Sequence, residues 1–372
     1  MIPASALCSG VASSVFWFLL PVTLSGYASS YSLDEQQIGL IASSFGGGYF
    51  LASILGLSWV GRVSVYQVYR WGALGAALCL TASMTQSSAQ YLAITLVFAG
   101  LCLGSVYSGS LVSLGVSPNP TRAYALLYLI QTGLVFSALL GLASLVPDSF
   151  PVHYAIELAA AVLLGALFVA SLFAAPTDHR RAPRTSNRDL RFIRSSLLPL
   201  VAVTLTFAGF TGTYVFLDLQ SEQFGEGFGF IVVAANLGAG AVGSLAALLI
   251  GARYGLRVPM IFASIMAMLS AVLMGNSSSE LSFLVGAVLH GFSWNLGAPY
   301  RASVVAQSTD SGHGSVLTSG MQSAGDAIGP ALIGATLFGF GWAYSLLVAS
   351  AFWVIGLGFY LFALRGLDEG SI

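Results

Sequence analysis

The chain alternates between long apolar stretches and short polar connections along its whole length. A membrane-spanning helix needs about 20 mostly apolar residues to cross about 30 Å of hydrocarbon. Twelve stretches meet this requirement, approximately at residues 6–27, 37–60, 65–84, 89–113, 122–146, 153–175, 195–218, 227–252, 256–275, 280–304, 314–337 and 341–365. Most connections between them are short and carry turn residues, such as SPNPT at 117–121. The pattern predicts an all-α membrane protein with twelve transmembrane helices.

Composition strengthens this prediction. Of the 372 residues, 56% are hydrophobic and 7% are charged, whereas a soluble domain carries about 25% charged residues. So few charges cannot cover a surface that faces water, so membrane lipids are expected around the helices. The formal net charge of −1 provides no basic field for nucleic acid, so we expect no nucleic-acid partner.

One long connection divides the predicted spans into six and six. It covers residues 176–194 and contains HRRAPRTSNRDLRFIR, with six arginines in sixteen residues. The flanking segments share a register, because Gln131 precedes Gln322 by 191 residues and ALLG at 138–141 precedes ALIG at 331–334 by 193. Two parallel repeats of this kind are typical of one large transporter class. The prediction is a pseudo-symmetric pair of six-helix halves, 1–175 and 195–372, joined by a cytoplasmic linker, 176–194.

The distribution of arginine predicts the orientation. All thirteen basic residues are arginines, and they fall on one side of the membrane if both termini are cytoplasmic, as the positive-inside rule requires. In this arrangement Arg301 approaches a cytoplasmic connection, while Glu157 and Asp218 lie near the outer surface, within reach of water. We therefore expect a multi-pass protein of the bacterial inner membrane.

Two short motifs resemble those of the major facilitator superfamily. GARYGLR at 251–257 is similar to the DRxGRR loop pattern, with Arg253, Gly255 and Arg257 at matching positions, Ala252 in place of the acid and Leu256 in place of an arginine. The corresponding first-half loop keeps only Gly61–Arg62, and GDAIGPALIG at 325–334 resembles a glycine–proline motif of the family. The resemblance implies that spans 1, 2, 4, 5, 7, 8, 10 and 11 line a central cavity. Arg62, Arg253, Gly255 and Arg257 are candidates for a gating loop, although the arginines could equally be topological anchors.

Polar side chains deep within spans identify a candidate site, because ionisable groups inside a bilayer are costly. Asp326 and His290 lie about 18 Å and 15 Å along their predicted helices, since each residue rises 1.5 Å. Asp326 could couple transport to protons, contact a cationic substrate, or fix helix packing, with or without His290. The other deep polar residues are Gln131, Asn236, Asn295 and Gln322. Five aromatic residues could also face the cavity, although lipid contact or helix packing explains each one singly: Trp17, Tyr49, Tyr107, Tyr214 and Trp294.

No motif for an enzyme, a metal or a cofactor is visible, since nucleophile-elbow, HExxH, Walker and paired-acid patterns are missing. The sequence therefore predicts a secondary active transporter of a small solute that works by alternating access. Proton coupling is preferred, efflux is slightly favoured over uptake, and a monomer is expected. The alternatives are a proton-independent facilitator and a non-transporting membrane sensor or assembly protein.

Overall fold

The computed structural model is all-helical over the residues that it describes, which are 4–59, 62–86, 88–115, 117–145, 151–173, 189–225, 227–251, 253–275, 279–307 and 313–369. The first group of helices, before residue 174, comprises α1 (Ala4–Phe18), α2 (Leu20–Tyr31), α3 (Glu35–Trp59), α4 (Val65–Ser83), α5 (Ala89–Gly115), α6 (Pro120–Leu145) and α7 (Val152–Phe173). The second group, after residue 188, comprises α8 (Asp189–Tyr214), α9 (Leu217–Ser221), α10 (Phe228–Ile250), α11 (Arg257–Gly275), α12 (Glu280–Gln307), α13 (His313–Phe340) and α14 (Trp342–Glu369).

Over the described residues, every predicted span coincides with helix, with three differences in detail. The first span breaks at Leu19 into α1 and α2, because Pro21 has no N–H to donate to the carbonyl of Trp17. Span 7 ends at Tyr214, after which the chain turns and forms the short helix α9. α8 begins at Asp189, inside the range assigned to the linker, and residues 174–188 of that linker lie outside the described part of the chain.

Ten helical segments of the described chain are long and apolar enough to cross a membrane, with α1 and α2 counted as one. The two predicted spans that fall short are α4 and α13, which are long enough but less apolar. α4 carries Gln67 and Arg70, and α13 carries Gln322 and Asp326. In α13 the lower hydropathy reflects polar side chains that face the protein interior, since Gln322 and Asp326 are both buried.

Helix packing defines a seam between the two groups. Within the first group, α5 packs against α3 and α4; within the second, α12 packs against α10 and α11, and α8 packs against α13 and α14. The largest contacts between the groups are those of α3 with α13 and of α6 with α10. Small residues permit the α3–α13 contact: both Gly39 and Gly46 lie against the backbone of α13.

Three charged side chains are more buried than their short sequence distance from a helix end indicates. Glu157, Asp218 and Arg301 have exposed fractions of 0%, 7% and 2%. The expectation that the two acids reach water was wrong for their side chains, and Arg301 is not at a helix end exposed to solvent. Sequence distance from a helix end measures depth along the axis, but the direction of the side chain decides its surroundings.

Candidate substrate cavity

A cavity lies at the seam between the two groups of helices. Four helices of the first group (α1, α3, α5 and α6) and three of the second (α8, α12 and α13) contribute to its wall. The lining residues are Ser14, Trp17, Phe18, Gly46, Tyr49, Tyr107, Tyr128, Phe207, Trp294, Gln322, Ser323 and Asp326. The wall is thus mostly aromatic, with a few polar groups, as small-molecule sites usually are.

The helices around the cavity agree with the expectation drawn from the family resemblance. Seven of the eight expected spans supply lining residues, and span 8, which is α10, supplies none among the described residues. The four helices expected outside the cavity, α4, α7, α11 and α14, are likewise missing from its described wall. Four of the five candidate aromatic residues line the cavity, while Tyr214 instead donates a hydrogen bond of 2.5 Å to the carbonyl of Phe18.

Asp326 is the acidic residue of the described cavity wall. It lies thirteen residues after His313 and fourteen before Phe340, at the middle of α13. Its side chain is 9% exposed, and its Oδ1 atom has no hydrogen-bond partner among the described residues. Burial of a carboxyl group with an unpartnered oxygen is costly, so Asp326 is a candidate functional residue.

Thr211 of α8 is the hydrogen-bonding neighbour of Asp326. Its hydroxyl already donates to the carbonyl of Phe207 at 2.7 Å. The Thr211 hydroxyl therefore ties the carboxyl group of Asp326 in α13 to α8.

Gln322 lies one turn before Asp326 and reaches across the seam. Its Nε2 atom is 3.4 Å from the hydroxyl of Tyr128 in α6, and Tyr128 is hydrogen-bonded in turn to Tyr107 of α5. The opposite wall is fixed by Tyr49, which donates to the carbonyl of Ser13 at 2.5 Å. The polar part of the wall therefore links both groups of helices.

His290 occupies a different environment from Asp326. It is fully buried, and its Nδ1 atom is 3.1 Å from Nδ2 of Asn236, which also donates to the carbonyl of Ala287 at 2.8 Å. Aromatic rings surround it, including Phe210 at 5.2 Å between centroids. Among the described residues that line the cavity, His290 is not present. The structure thus joins His290 to Asn236 at the α10–α12 contact.

The remaining deep polar candidates also serve helix contacts. Asn295 donates to the carbonyl of Gly291 at 3.0 Å and accepts from Ser244 at 3.5 Å. Gln131 donates to the carbonyl of Gly10 at 3.1 Å, which ties α6 to α1. Of the six predicted cavity residues, the structure brings two, Asp326 and Gln322, to the cavity wall.

The predicted gating loop lies on the surface between α10 and α11. Arg253, Gly255 and Arg257 are exposed, and Arg62 is exposed at the α3–α4 connection, while Gly61 and Ala252 lie outside the described residues. Gly255 has φ of +64°, a backbone conformation that glycine adopts without strain. This explains the glycine of the motif by the geometry of the turn. Gating by these arginines remains a prediction.

Arg301, a buried arginine near the cavity, was not among the site residues predicted from the sequence. Neither Nη1 nor Nη2 of Arg301 has a hydrogen-bond partner among the residues that the structure describes, and the guanidinium carbon lies 5.2 Å from the ring centroid of Phe210. Tyr128 of the cavity wall and Tyr360 of α14 are its electrostatic neighbours. The sequence does place Arg301 six residues before the end of a long apolar helix. That position was interpreted as part of the arginine pattern that sets the membrane orientation, and burial of the side chain was not predicted.

A second buried acid, Glu157, is held by hydroxyl groups away from the cavity. It accepts hydrogen bonds from Tyr27 of α2 and, at 2.6 Å, from Ser83 of α4. Its other carboxyl oxygen has no partner among the described residues. Three helices of the first group therefore meet at this one side chain.

Hydrogen bonds join the two groups of helices on both sides of the cavity. At the end formed by the α5–α6 and α12–α13 connections, the hydroxyls of Thr121 and Ser303 are 2.6 Å apart. At the opposite end, Ser25 of α2 donates to Glu222 at 2.9 Å. Buried Asp218 also bonds Ser25, and burial, opposed by this bond, raises the pKa of Asp218 to about 7. The cavity is thus enclosed between two sets of contacts.

Solved structures with the same architecture are transporters. A mutant of the nucleoside transporter NupG superimposes with a TM-score of 0.74 at 13% identity, covering 98% of this chain and 100% of that one. The human organic anion transporter MFSD10 gives 0.69 at 16% identity, with coverage of 96% and 97%. The E. coli fucose:proton symporter FucP gives 0.71 at 16% identity, with coverage of 98% and 98%. At sequence identities this low, the superpositions establish a common fold alone. A comparison with curated protein sequences gives no significant match.

Ten helices long and apolar enough to cross a membrane, counted over the described residues, and a cavity between two groups of helices describe a multi-pass membrane protein. The model of the Major Facilitator Superfamily matches residues 4–251, and the chain belongs to this superfamily. The resemblance inferred from the loop and glycine–proline motifs is therefore confirmed. So is the prediction that the chain is not an enzyme, because its family and its structural neighbours are transporters. A small-molecule substrate follows from the family.

Proposed function

We propose that this protein is a proton-coupled secondary transporter that moves a small solute by alternating access. Two six-helix halves, 1–175 and 195–372, rock about the cavity, and the linker 176–194 joins them. The packing of α3 on α13 and of α6 on α10 supports this division, because it supplies the interface along which the two groups of helices would move. Hydrogen bonds at both ends of the seam are the contacts that would break and form alternately.

Asp326 carries the coupling in this proposal. The observation that carries this assignment is a carboxyl group in the middle of α13, on the cavity wall, with one oxygen that has no partner among the described residues and with Thr211 as its hydrogen-bonding neighbour. Protonation removes the charge from an apolar site, so the loaded and unloaded forms differ in the free energy of closing the cavity. We assign the proton to Asp326 alone, because His290 engages Asn236.

The arginine distribution supports an orientation with both termini in the cytoplasm of a bacterial cell, in the inner membrane. Arg62, Arg253 and Arg257 are exposed in the described part of the chain, where they can meet anionic lipid headgroups. We propose a monomer, and efflux is slightly preferred to uptake. Cysteines introduced into the linker 176–194 should react with an impermeant reagent only from the cytoplasmic side; labelling from the periplasmic side contradicts this orientation.

Transport in proteoliposomes tests the coupling. With a pH gradient imposed across the membrane, the native protein should accumulate its solute, and Asp326→Asn should allow only downhill equilibration. His290→Gln is the matched variant, because it also changes a buried ionisable group but should leave accumulation in place. If gradient-driven accumulation survives Asp326→Asn unchanged, Asp326 is not the coupling residue. Gradient-independent transport by the native protein would favour a facilitator.

A further inference from the structure

Arg301 is a buried cation that contacts no acidic side chain among the described residues. It has an exposed fraction of 2%, and both of its terminal nitrogens lack hydrogen-bond partners within the described part of the chain. The cation–π contact with Phe210 offsets part of the unfavourable burial. This contact is made through the face of the guanidinium group, so it cannot provide hydrogen-bond acceptors for the N–H groups that lie in the guanidinium plane. A membrane protein retains such a group at a cost in stability, which makes it a candidate for function.

The guanidinium group folds back along α12 and packs behind the cavity wall, and Arg301 itself is not among the described residues that line the cavity. A Cβ atom at Gly297 would lie 2.6 to 2.8 Å from Nη2, Cζ and Nη1 of Arg301, so the side chain folds back along the helix over Gly297. Trp294, one turn further back, lines the cavity and stacks on Phe210 at 5.5 Å between centroids. The cationic group is therefore adjacent to the aromatic wall.

Two phenol groups complete the surroundings of Arg301. Tyr128 lines the cavity, and Tyr360 is buried with a hydroxyl for which the described residues supply no hydrogen-bond partner. Both lie close enough to Arg301 to interact with its charge. A planar guanidinium whose terminal donors have no partner among the described residues, with two tyrosines near enough to interact with its charge, matches a carboxylate, which accepts two parallel hydrogen bonds from arginine.

We propose that Arg301, with Tyr128 and Tyr360, is the subsite that binds the carboxylate of an organic anion, whose apolar body fills the aromatic cavity. The substrate class would be small arylcarboxylates or similar monocarboxylates. This inference rests on the proposed transport function, because it treats the cavity as the substrate site. It adds what that function leaves open, namely the charge and the chemical class of the solute.

Binding to the purified protein in detergent tests the subsite without requiring transport. The probes are benzoate, phenylacetate and indole-3-acetate, each paired with its neutral carboxamide, together with phenethylamine as a cation. Quenching of tryptophan fluorescence and a shift in melting temperature report binding, since Trp17 and Trp294 line the cavity. The native protein should bind at least one carboxylate about ten-fold more tightly than its amide. Equal affinity within every pair, binding of phenethylamine alone, or no binding of any carboxylate contradicts the proposal.

Variants assign the discrimination to Arg301. Arg301→Gln should abolish the preference for the carboxylate, Arg301→Lys should retain part of it, and Arg122→Gln, at an exposed arginine, should change nothing. Gly297→Ala should weaken carboxylate binding while the charge remains, because the added methyl group displaces the flexible guanidinium. Gly339→Ala is its control, since no atom lies within 4 Å of a Cβ at that position. Discrimination that survives Arg301→Gln overturns the proposal.

Stability without ligand gives a second and independent readout. Removing an unpaired buried charge should raise the melting temperature of ligand-free Arg301→Gln above that of the native protein, whereas a structural ion pair would make it fall. A fall contradicts the proposal. Transport distinguishes the two levels: if the protein binds carboxylates through Arg301 but moves no solute in proteoliposomes, the transport function fails alone. If it transports a solute equally well with Arg301→Gln, only the carboxylate subsite fails.

Discussion

Gly46 of α3 lies directly against the backbone of Asp326 in α13: a Cβ atom at position 46 would be 2.6 Å from both the carbonyl carbon and the carbonyl oxygen of Asp326. This carbonyl also lacks its usual helical donor, because Pro330, four residues later, has no N–H. The residue proposed to carry the proton therefore lies where one backbone hydrogen bond of α13 is missing, in contact with the other group of helices. Movement of α3 against α13 would therefore change the packing around Asp326.

Gly46→Ala should disturb this contact, whereas Gly47→Ala should not. The methyl group of alanine at position 46 meets rigid backbone, and such overpacking costs about 1–3 kcal/mol of stability. At position 47 no atom lies within 4 Å of a Cβ. We expect Gly46→Ala to lower both the melting temperature and the rate of transport, with Gly47→Ala close to the native protein in both. Equal behaviour of the two variants would contradict the tight α3–α13 contact.

The all-helical architecture and Asp326 could be predicted from the sequence, because both depend on composition along one helix. A lone carboxylate in the middle of an apolar span is conspicuous whatever its partners are. The roles of Arg301 and Glu157 could not be predicted in this way, since each lies near a helix end and only tertiary packing shows where the side chain points. His290 was paired with Asp326 by depth, but depth does not fix the angle around the helix axis, and its hydrogen-bonding neighbour is Asn236.

The hydroxyl groups around Glu157 should stabilise the first group of helices. Tyr27→Phe removes one of the two donors to a fully buried carboxyl group, and leaving such a group short of a partner costs about 1–3 kcal/mol. The melting temperature of Tyr27→Phe should therefore fall, and that of Ser83→Ala should fall as well. Tyr91→Phe, at a tyrosine that is 62% exposed, is the control and should be neutral. An unchanged melting temperature in Tyr27→Phe would show that the hydrogen bond contributes nothing.

Asp218 should make stability depend on pH in the acidic range. Its pKa is raised by burial to about 7 in the folded protein, and it is about 4 in an unfolded chain. The folded state therefore binds the proton more tightly, and stability should fall as the pH rises from about 4 to about 7, by up to about 1.4 kcal/mol per pH unit. Asp218→Asn should flatten the decline of melting temperature over this interval, while Glu280→Gln, at an exposed acid, should preserve it. A decline that persists in Asp218→Asn would assign the titration to another group.

Thr121 and Ser303 offer a direct test of alternating access. Their hydroxyl oxygens are 2.6 Å apart across the seam, so cysteines at these positions can approach the geometry of a disulfide. In a background with Cys8, Cys79 and Cys102 replaced by serine, oxidation of the Thr121→Cys, Ser303→Cys double variant should stop transport, because the two groups can no longer separate at this end. Reduction should restore transport, and neither single variant should respond to the oxidant. Full transport by the cross-linked protein would show that this contact does not open during the cycle.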